Sequence, residues 1–547
     1  MHFRTEVPRV CRSPKQKARI YAWVGVSLWL GSFGNSDASV TRFPFGLTEP
    51  KQAPSLSNSC QALGNSSPQI SELLAKAASS PSGTSYDALG QAFAQQNIPT
   101  CAIAAFEIGL DYDPRMWRTR YTMAVTLLQL GDSQRAINEL HVVLEEAHDS
   151  FMAHNALGLA LENLTDLEGA REEYEKAVML NPHFALGYYN LAHLASEEGR
   201  FGAAVFYSQK AVNLDPEQPT YQSALGIALS QGGKFQKAVE VLQKLATSHP
   251  NFVEAYLNLG AAYGQEKRFP EAVSSYRQAI RLDPENSQSL LLLGIALLAN
   301  SQQKEALSVF NSYVGREPQD FHGFYWLGRA YKDSAQYQDA ARALDRALQL
   351  NGNDYEVRYN LGAVLVHLKK YAEAAQQFEV AKKLNPSAVD VHYQLAGVLL
   401  QLNDQNGASE ERKAFQALKV RDQQKTQSIQ FYNRGDELLA AGNCRLAAEQ
   451  FRRALQLNPD NARLHYNLSL ALMGLGDLEG QRQELERAIQ LDSNLAPAYY
   501  HLAQLYMADG SVVQAKQALR TVLAIDPQFA AAQEALSSLQ ENGKRSE

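Results

Sequence analysis

Residues 253–286 read VEAYLNLGAAYGQEKRFPEAVSSYRQAIRLDPEN, and two helical periodicities and a stop fit inside these 34 positions. Tyr256, Leu259, Gly260 and Tyr263 recur at helical spacing. After a polar break, Phe269, Ala272, Val273, Tyr276, Ala279 and Ile280 do the same. Apolar residues at i, i+3, i+4 and i+7 define an amphipathic helix, so the stretch predicts a helical hairpin. The second helix must end at Leu282-Asp283, because Pro284 pushes the residue before it out of helical dihedrals. Gly260 and Ala272 are the small residues of the pair, expected to face each other and let the backbones approach. Tyr256, Tyr263, Phe269 and Tyr276 are left to fill the remaining space.

The hairpin is one copy among many. Gly90, Ala124, Gly158, Ala192, Gly226, Gly260, Gly294, Gly328, Gly362 and Ala396 recur every 34 residues without a slip. Twelve residues behind runs a second series, from Ala102 through Ala272 to Ala408. After a five-residue slip the register resumes at Gly435, Ser469 and Ala503. Prolines close most copies, among them Pro182, Pro216, Pro250, Pro284, Pro318, Pro386, Pro459 and Pro527. Thirteen units result, ten over residues 83–422 and three over 428–529. One hairpin cannot bury its apolar face alone, so units must stack on their neighbours. A chain of 547 residues exceeds what one hydrophobic core serves, and the repeat resolves that excess into thirteen small cores.

This pattern resembles the tetratricopeptide repeat (TPR). The resemblance implies an all-α fold, an α-solenoid of helical hairpins wound into a right-handed superhelix. The first helix of each pair would line the concave face and the second the convex face. It also implies a protein or peptide partner held in the concave groove, without a cofactor. Gly352 and Ser493 stand where a closing proline is expected, and Arg412 replaces an apolar residue. Residues 406–425 are highly charged and lack a proline stop. Two readings are open there: a second helix that runs on through the junction at 423–427, or a degenerate repeat with a longer loop. Residues 530–547 read as a capping helix and tail, giving the last unit a wettable outer face.

The N-terminal segment has another character. Six basic residues precede position 20, an apolar stretch runs from Ile20 to Phe33, and Ser36-Asp37-Ala38 offers small residues at cleavage spacing. Residues 1–38 therefore read as a signal peptide or a membrane anchor, and the protein as exported (periplasmic or secreted) or anchored by that segment. A cytoplasmic protein with a mis-assigned start is the alternative. Residues 39–82 are a Ser/Pro-rich linker with a short helix expected at Ile70–Ala78. Four cysteines are too few for a disulfide-built fold, although Cys60 and Cys101 could pair if the chain is exported. Cys101 and Cys444 otherwise read as small buried hydrophobes.

Net charge is -7, and it becomes -11 once residues 1–38 are set aside. That balance argues against a nucleic-acid partner bound through a basic surface. Membrane contact would come only through the N-terminal segment, since no apolar run of 18 residues exists. The histidines and cysteines lack zinc-site spacing, and no phosphate-binding loop or nucleophile elbow appears, so the chain reads as no enzyme. A metal site is not expected either.

Functional candidates come from the first helices. Three residues before the small mark stand Tyr121, Tyr189, Tyr325, Tyr359, Tyr393, Tyr432, Tyr466 and Tyr500. One position later stand Asn190, Asn258, Asn360, Gln394, Asn433 and Asn467. The family resemblance puts both positions on or near the concave side. Amides can bridge a peptide's N–H and C=O groups, and tyrosines add apolar area with a polar tip. The same residues can equally serve as packing between neighbours. TPR co-chaperones that grip a C-terminal carboxylate place Asn just after the small mark. Here Gln91, Val125, Leu159, His193, Ile227 and Ala261 stand there, so that clamp is not expected. The resulting expectation is a scaffold that binds partner proteins or extended peptides in the groove, possible work including cell-envelope assembly. The alternative is an accessory or regulatory subunit of a separate enzyme, such as a transferase.

Overall fold

The computed structural model describes residues 56–62, 67–527 and 529–545, with side chains described up to residue 539. The signal-peptide reading of residues 1–38 lies outside the described residues. Among those described there are 28 helices and no strand. They form two compact units. One comprises residues up to Glu197 together with Lys210–Pro216; the other comprises Glu198–Gln209 and Glu217 onward.

The hairpin expected at 253–286 is the pair Val253–Gln265 and Phe269–Leu282. Pairs of 13 to 14 residues per helix recur along both units. Within each unit, the first helices of neighbouring repeats touch, for example Pro219–Gln231 with Val253–Gln265 and Trp117–Leu130 with Phe151–Asn163. That makes the first-helix side the inner side of each stack.

The turn inside each hairpin carries one residue with positive φ. It is glycine at 131, 199, 233, 442, 476 and 510, and Asn97, Thr165, Lys267, Ser301, Ala335, Lys369 and Asn403 elsewhere. These positions keep the 34-residue spacing and share its five-residue slip. The left-handed conformation ends the first helix and turns the chain in two or three residues.

The small mark has a nearer partner than the one expected, although the Ala170 and Ala340 carbonyls do approach Gly158 and Gly328. A Cβ on Gly260 would stand 2.6 Å from the ring of Tyr276, and Ala272 is not its nearest neighbour. Phe106, Tyr174, Phe310, Phe378 and Phe451 seat in the same way on Gly90, Gly158, Gly294, Gly362 and Gly435. Each ring lies sixteen residues after its glycine, two turns into the second helix. Where the mark is Ala124 or Ala503, the residue sixteen on is Leu140 or Leu519, buried in the same cluster as its mark. At these six glycines the missing methyl group is matched by a ring across the hairpin, whereas Leu242 and Leu344 take that place over Gly226 and Gly328.

Two segments go beyond what the sequence decides, and the first contains the helix expected at Ile70–Ala78, present as Pro68–Ser79. Part of the 39–82 linker is folded. Asn58–Ala62 and Pro68–Ser79 are helices, the second capped by Ser67. Leu56, Cys60, Ile70 and Ala77 are buried against Leu89, Phe93 and Phe106 of the first hairpin. Cys60 and Cys101 form a disulfide, with Cα atoms 5.6 Å apart. The covalent tie and four apolar contacts supply what the Ser/Pro composition does not. In the other segment, one helix, Gln405–Ala440, runs through the junction as 36 continuous residues. Arg421 to Gln427 are exposed on every side of it. The boundary between the compact units falls near residues 198–217, and an unbroken helix crosses 423–427. Ala530–Arg545 follows the last repeat and packs Ala532, Leu536 and Leu539 against Leu519 and Val522. Cys444, expected to be buried, is half-exposed at a helix start, its thiol against Gly474.

Candidate functional site

The inner face of the second unit holds most of the candidate residues. A first helix such as Phe321–Asp333 shows this face through residues spaced i, i+1, i+4 and i+7, here Tyr325, Trp326, Arg329 and Lys332. Tyr325, Tyr359, Tyr432, Tyr466 and Tyr500 are all half-buried, and Tyr393 is 61% exposed. Tyr359 stacks on Tyr355 with ring centroids 6.1 Å apart and leans on Phe378 at 5.9 Å. Tyr393 leans on Phe415 at 5.4 Å, Tyr466 on His501 at 5.9 Å, and Tyr500 on Phe529 at 5.0 Å. These tyrosines thus pack part of the ring within the array and keep part of it accessible. Burial pushes the Tyr325 hydroxyl up to about 12, so it stays a neutral donor at any ordinary pH.

The amides serve the array first. Asn258 donates to Ser223 Oγ at 2.8 Å, and Asn190, in the first unit, donates to Asn155 at 2.8 Å. Asn467 donates to the Tyr432 hydroxyl at 3.2 Å and also to Asp436. All three bonds to residues 35 earlier tie one first helix to the previous one. Asn360 donates to the Glu356 carbonyl at 2.8 Å and accepts from Lys332 Nζ. Asn433 is exposed, beside a shallow pocket lined by Ser428, Ile429, Tyr432, Asn461, Arg463 and Leu464. The described geometry therefore brings the tyrosines to one face and spends the donors of Asn190, Asn258 and Asn467 on neighbouring repeats.

The sequence reading passed over two sets of residues. One is a polar clasp at the fourth position of the first helix. His154, His392 and His465 each pair Nδ1 with Glu173, Glu411 or Glu484, 19 residues on, at 2.6, 2.6 and 2.5 Å. Their Nε2 atoms lie 3.1, 3.0 and 2.9 Å from the carbonyls of His148, Pro386 and Pro459, six residues earlier. Arg120 and Arg358 make the same two contacts with longer side chains. The recurrence of a donor at this one repeat position was the available signal. The other set is Arg329 and Lys332. The Arg329 guanidinium lies 4.7 Å from the Trp326 ring and 5.9 Å from the Tyr325 ring. Burial lowers the Lys332 pKa, because its ammonium is desolvated beside a neutral amide.

Such an array of stacked helical hairpins, with aromatic and polar side chains along one face, defines a repeat protein built for contact with other chains. Tetratricopeptide repeat models match residues 151–184, 185–218, 224–251, 253–286, 275–308, 325–389, 432–496 and 482–539, more than half of the sequence. The chain belongs to the tetratricopeptide repeat family. Among characterised proteins it is similar to human tetratricopeptide repeat protein 6, 28% identical over 112 residues. That match spans 20% of this chain and about a fifth (21%) of the relative. Among solved structures it is similar to the APC/C hetero-tetramer Cut9-Hcn1, with 17% identity and a TM-score of 0.39 over 86% of this chain and 92% of that one. MamA gives 21% identity and a TM-score of 0.29 over 30% of this chain and 96% of that one. The human IFIT1 dimer with m7Gppp-AAAA gives 17% identity and 0.33 over 68% and 90%. No helix among the described residues is long and apolar enough to cross a membrane.

Proposed function

We propose that this protein is a non-enzymatic scaffold that binds partner proteins, as extended segments, along the inner face of its first helices. The observation that carries the reading is the run of tyrosines at one repeat position of the first helices, Tyr325, Tyr359 and Tyr393, each with ring area still accessible. Tyrosine supplies large contact area at low conformational cost, since only two side-chain torsions are fixed on binding. Function is exercised in an oxidising compartment outside the cytoplasm, a reading supported by the Cys60–Cys101 disulfide and by the basic-then-apolar leader. A role in cell-envelope assembly fits that location.

The test is a triple variant, Tyr325→Ala, Tyr359→Ala and Tyr393→Ala, used as bait against the native extract beside the unaltered chain. Loss of specific partners by a variant of unchanged helicity is the expected outcome. Full recovery of the same partners sinks the inner-face assignment. N-terminal sequencing of the mature protein settles the location: an intact Met1 in a soluble cytoplasmic fraction removes the export reading.

A further inference from the structure

The inner face changes character along the second unit. From Pro219 to Ala299 its central positions hold no charged side chain. Ile227 is 37% exposed there, and Leu257, Leu292, Ile295 and Leu298 are half-buried. The helix Ser287–Ala299 reads SQSLLLLGIALLA and is apolar all round. A helix of that composition is normally buried on every side, yet its inner side keeps solvent contact. One repeat later the same positions turn cationic, at Arg329 and Lys332.

These two cations are one helical turn apart on Phe321–Asp333, and no described carboxylate closes an ion pair on either. The Arg329 guanidinium lies over the Trp326 ring, with the Tyr325 ring beyond it. Lys332 is bonded to the neutral Asn360 amide oxygen. Asp333 and Glu356 act on Lys332 through space only, and burial outweighs them, lowering its pKa. A desolvated ammonium bonded to an amide gains more from an incoming carboxylate than one already neutralised.

We propose that this face takes a partner segment in which a run of apolar residues adjoins an aspartate or glutamate, the apolar run lying over Ile227 to Leu298 and the carboxylate held by Arg329 and Lys332. The proposal rests on the inner-face reading above and specifies its partner. An acidic side chain within the segment is the occupant, and a chain terminus is not, because the surface continues past Lys332 across Tyr359 and Tyr393 and offers the peptide somewhere to go.

The experiment selects random dodecapeptides, displayed on phage with both ends blocked by flanking sequence, against the full chain. Winners are then measured as fluorescein-labelled peptides by anisotropy. Expected winners carry three or more apolar residues next to an acidic one. Their affinity falls at least tenfold with Arg329→Gln plus Lys332→Met, and again with Ile295→Asp. The methionine keeps the lysine's apolar stem, and circular dichroism confirms that each variant stays folded. Winners without an acidic residue, or whose binding survives Arg329→Gln plus Lys332→Met, overturn this proposal. If such winners still lose affinity when Tyr325, Tyr359 and Tyr393 become alanine, the inner-face reading stands alone. If they do not, it falls as well. A shift of the unliganded chain from dimer to monomer on Arg329→Gln plus Lys332→Met assigns the face to a second copy and likewise overturns the proposal.

Discussion

At the scale of single residues, the glycine marks are shape devices. Alanine at position 362 would gain about 1 kcal/mol of helix propensity over glycine. Its methyl group, however, would stand 2.7 Å from the Phe378 ring, a contact that forces the ring or the helix to move. Overpacking of that kind costs about 1–3 kcal/mol, so Gly362→Ala should lower stability despite its better propensity. The array offers a precedent for a smaller partner: leucine stands opposite Ala124 and Ala503, and Leu242 and Leu344 take the same place over Gly226 and Gly328. Gly362→Ala combined with Phe378→Leu should be less destabilised than the two single changes added together, by about 1 kcal/mol or more. Urea unfolding of the four proteins measures this. Strict additivity would show that ring and glycine are not coupled. The rule was half legible in the sequence. Period and small residue were visible at once, but the partner sixteen residues on was not, because spacing within a hairpin does not say which side chains meet across it.

At the scale of an element, the hairpin turn requires a left-handed residue, and seven repeats meet that requirement without glycine. A residue with a Cβ is strained there by about 1–2 kcal/mol, partly offset by glycine's larger loss of backbone freedom on folding. Ala335, with φ of 57°, has neither the conformational freedom of glycine nor the short polar side chain of asparagine. Ala335→Gly should therefore stabilise by about 0.5–1 kcal/mol, and Gly510→Ala should destabilise by a similar amount. Thermal unfolding of both variants checks the pair; Ala335→Gly falling below the parent chain would contradict the account. The long helix Gln405–Ala440 belongs to this scale too. Its sequence leaves a loop or a continuous helix equally open, since Arg421 to Gln427 hold neither proline nor glycine and are exposed, so no packing decides between the two. Asp404 caps the helix start through the Gly407 N–H at 2.9 Å, and buried Gly435, under Phe451, anchors the far end.

At the scale of the molecule, cooperativity passes from neighbour to neighbour, so a local tie acts locally. The Cys60–Cys101 disulfide closes a separation of 41 residues, which in the chain-entropy account is worth about 4 kcal/mol. Its benefit should be confined to the N-terminal helices and the first hairpin. Under a reductant, or with both cysteines changed to serine, hydrogen exchange should accelerate in residues 56–112 and stay unchanged beyond residue 219. Uniform acceleration along the chain would show that the repeats unfold as one block. The composition of residues 39–82 pointed to a linker because serine and proline dominate it. The fold of residues 56–62 and 67–79 depends on a covalent bond and on apolar residues of the first hairpin, neither of which is local to those segments.

The sequence alone determined the repeat, its 34-residue period, the helical hairpin and the tyrosine column, because each is written in nearest-neighbour spacing and recurs many times. Only the tertiary structure decided what those residues touch. It seated Tyr276 on Gly260, spent the Asn258 donor on Ser223 of the preceding repeat, and set Lys332 against Asn360. The physical reason is that periodicity fixes which face a side chain occupies. Partners on that face come from another helix, 16 to 35 residues away, and only packing brings them within a hydrogen bond's reach.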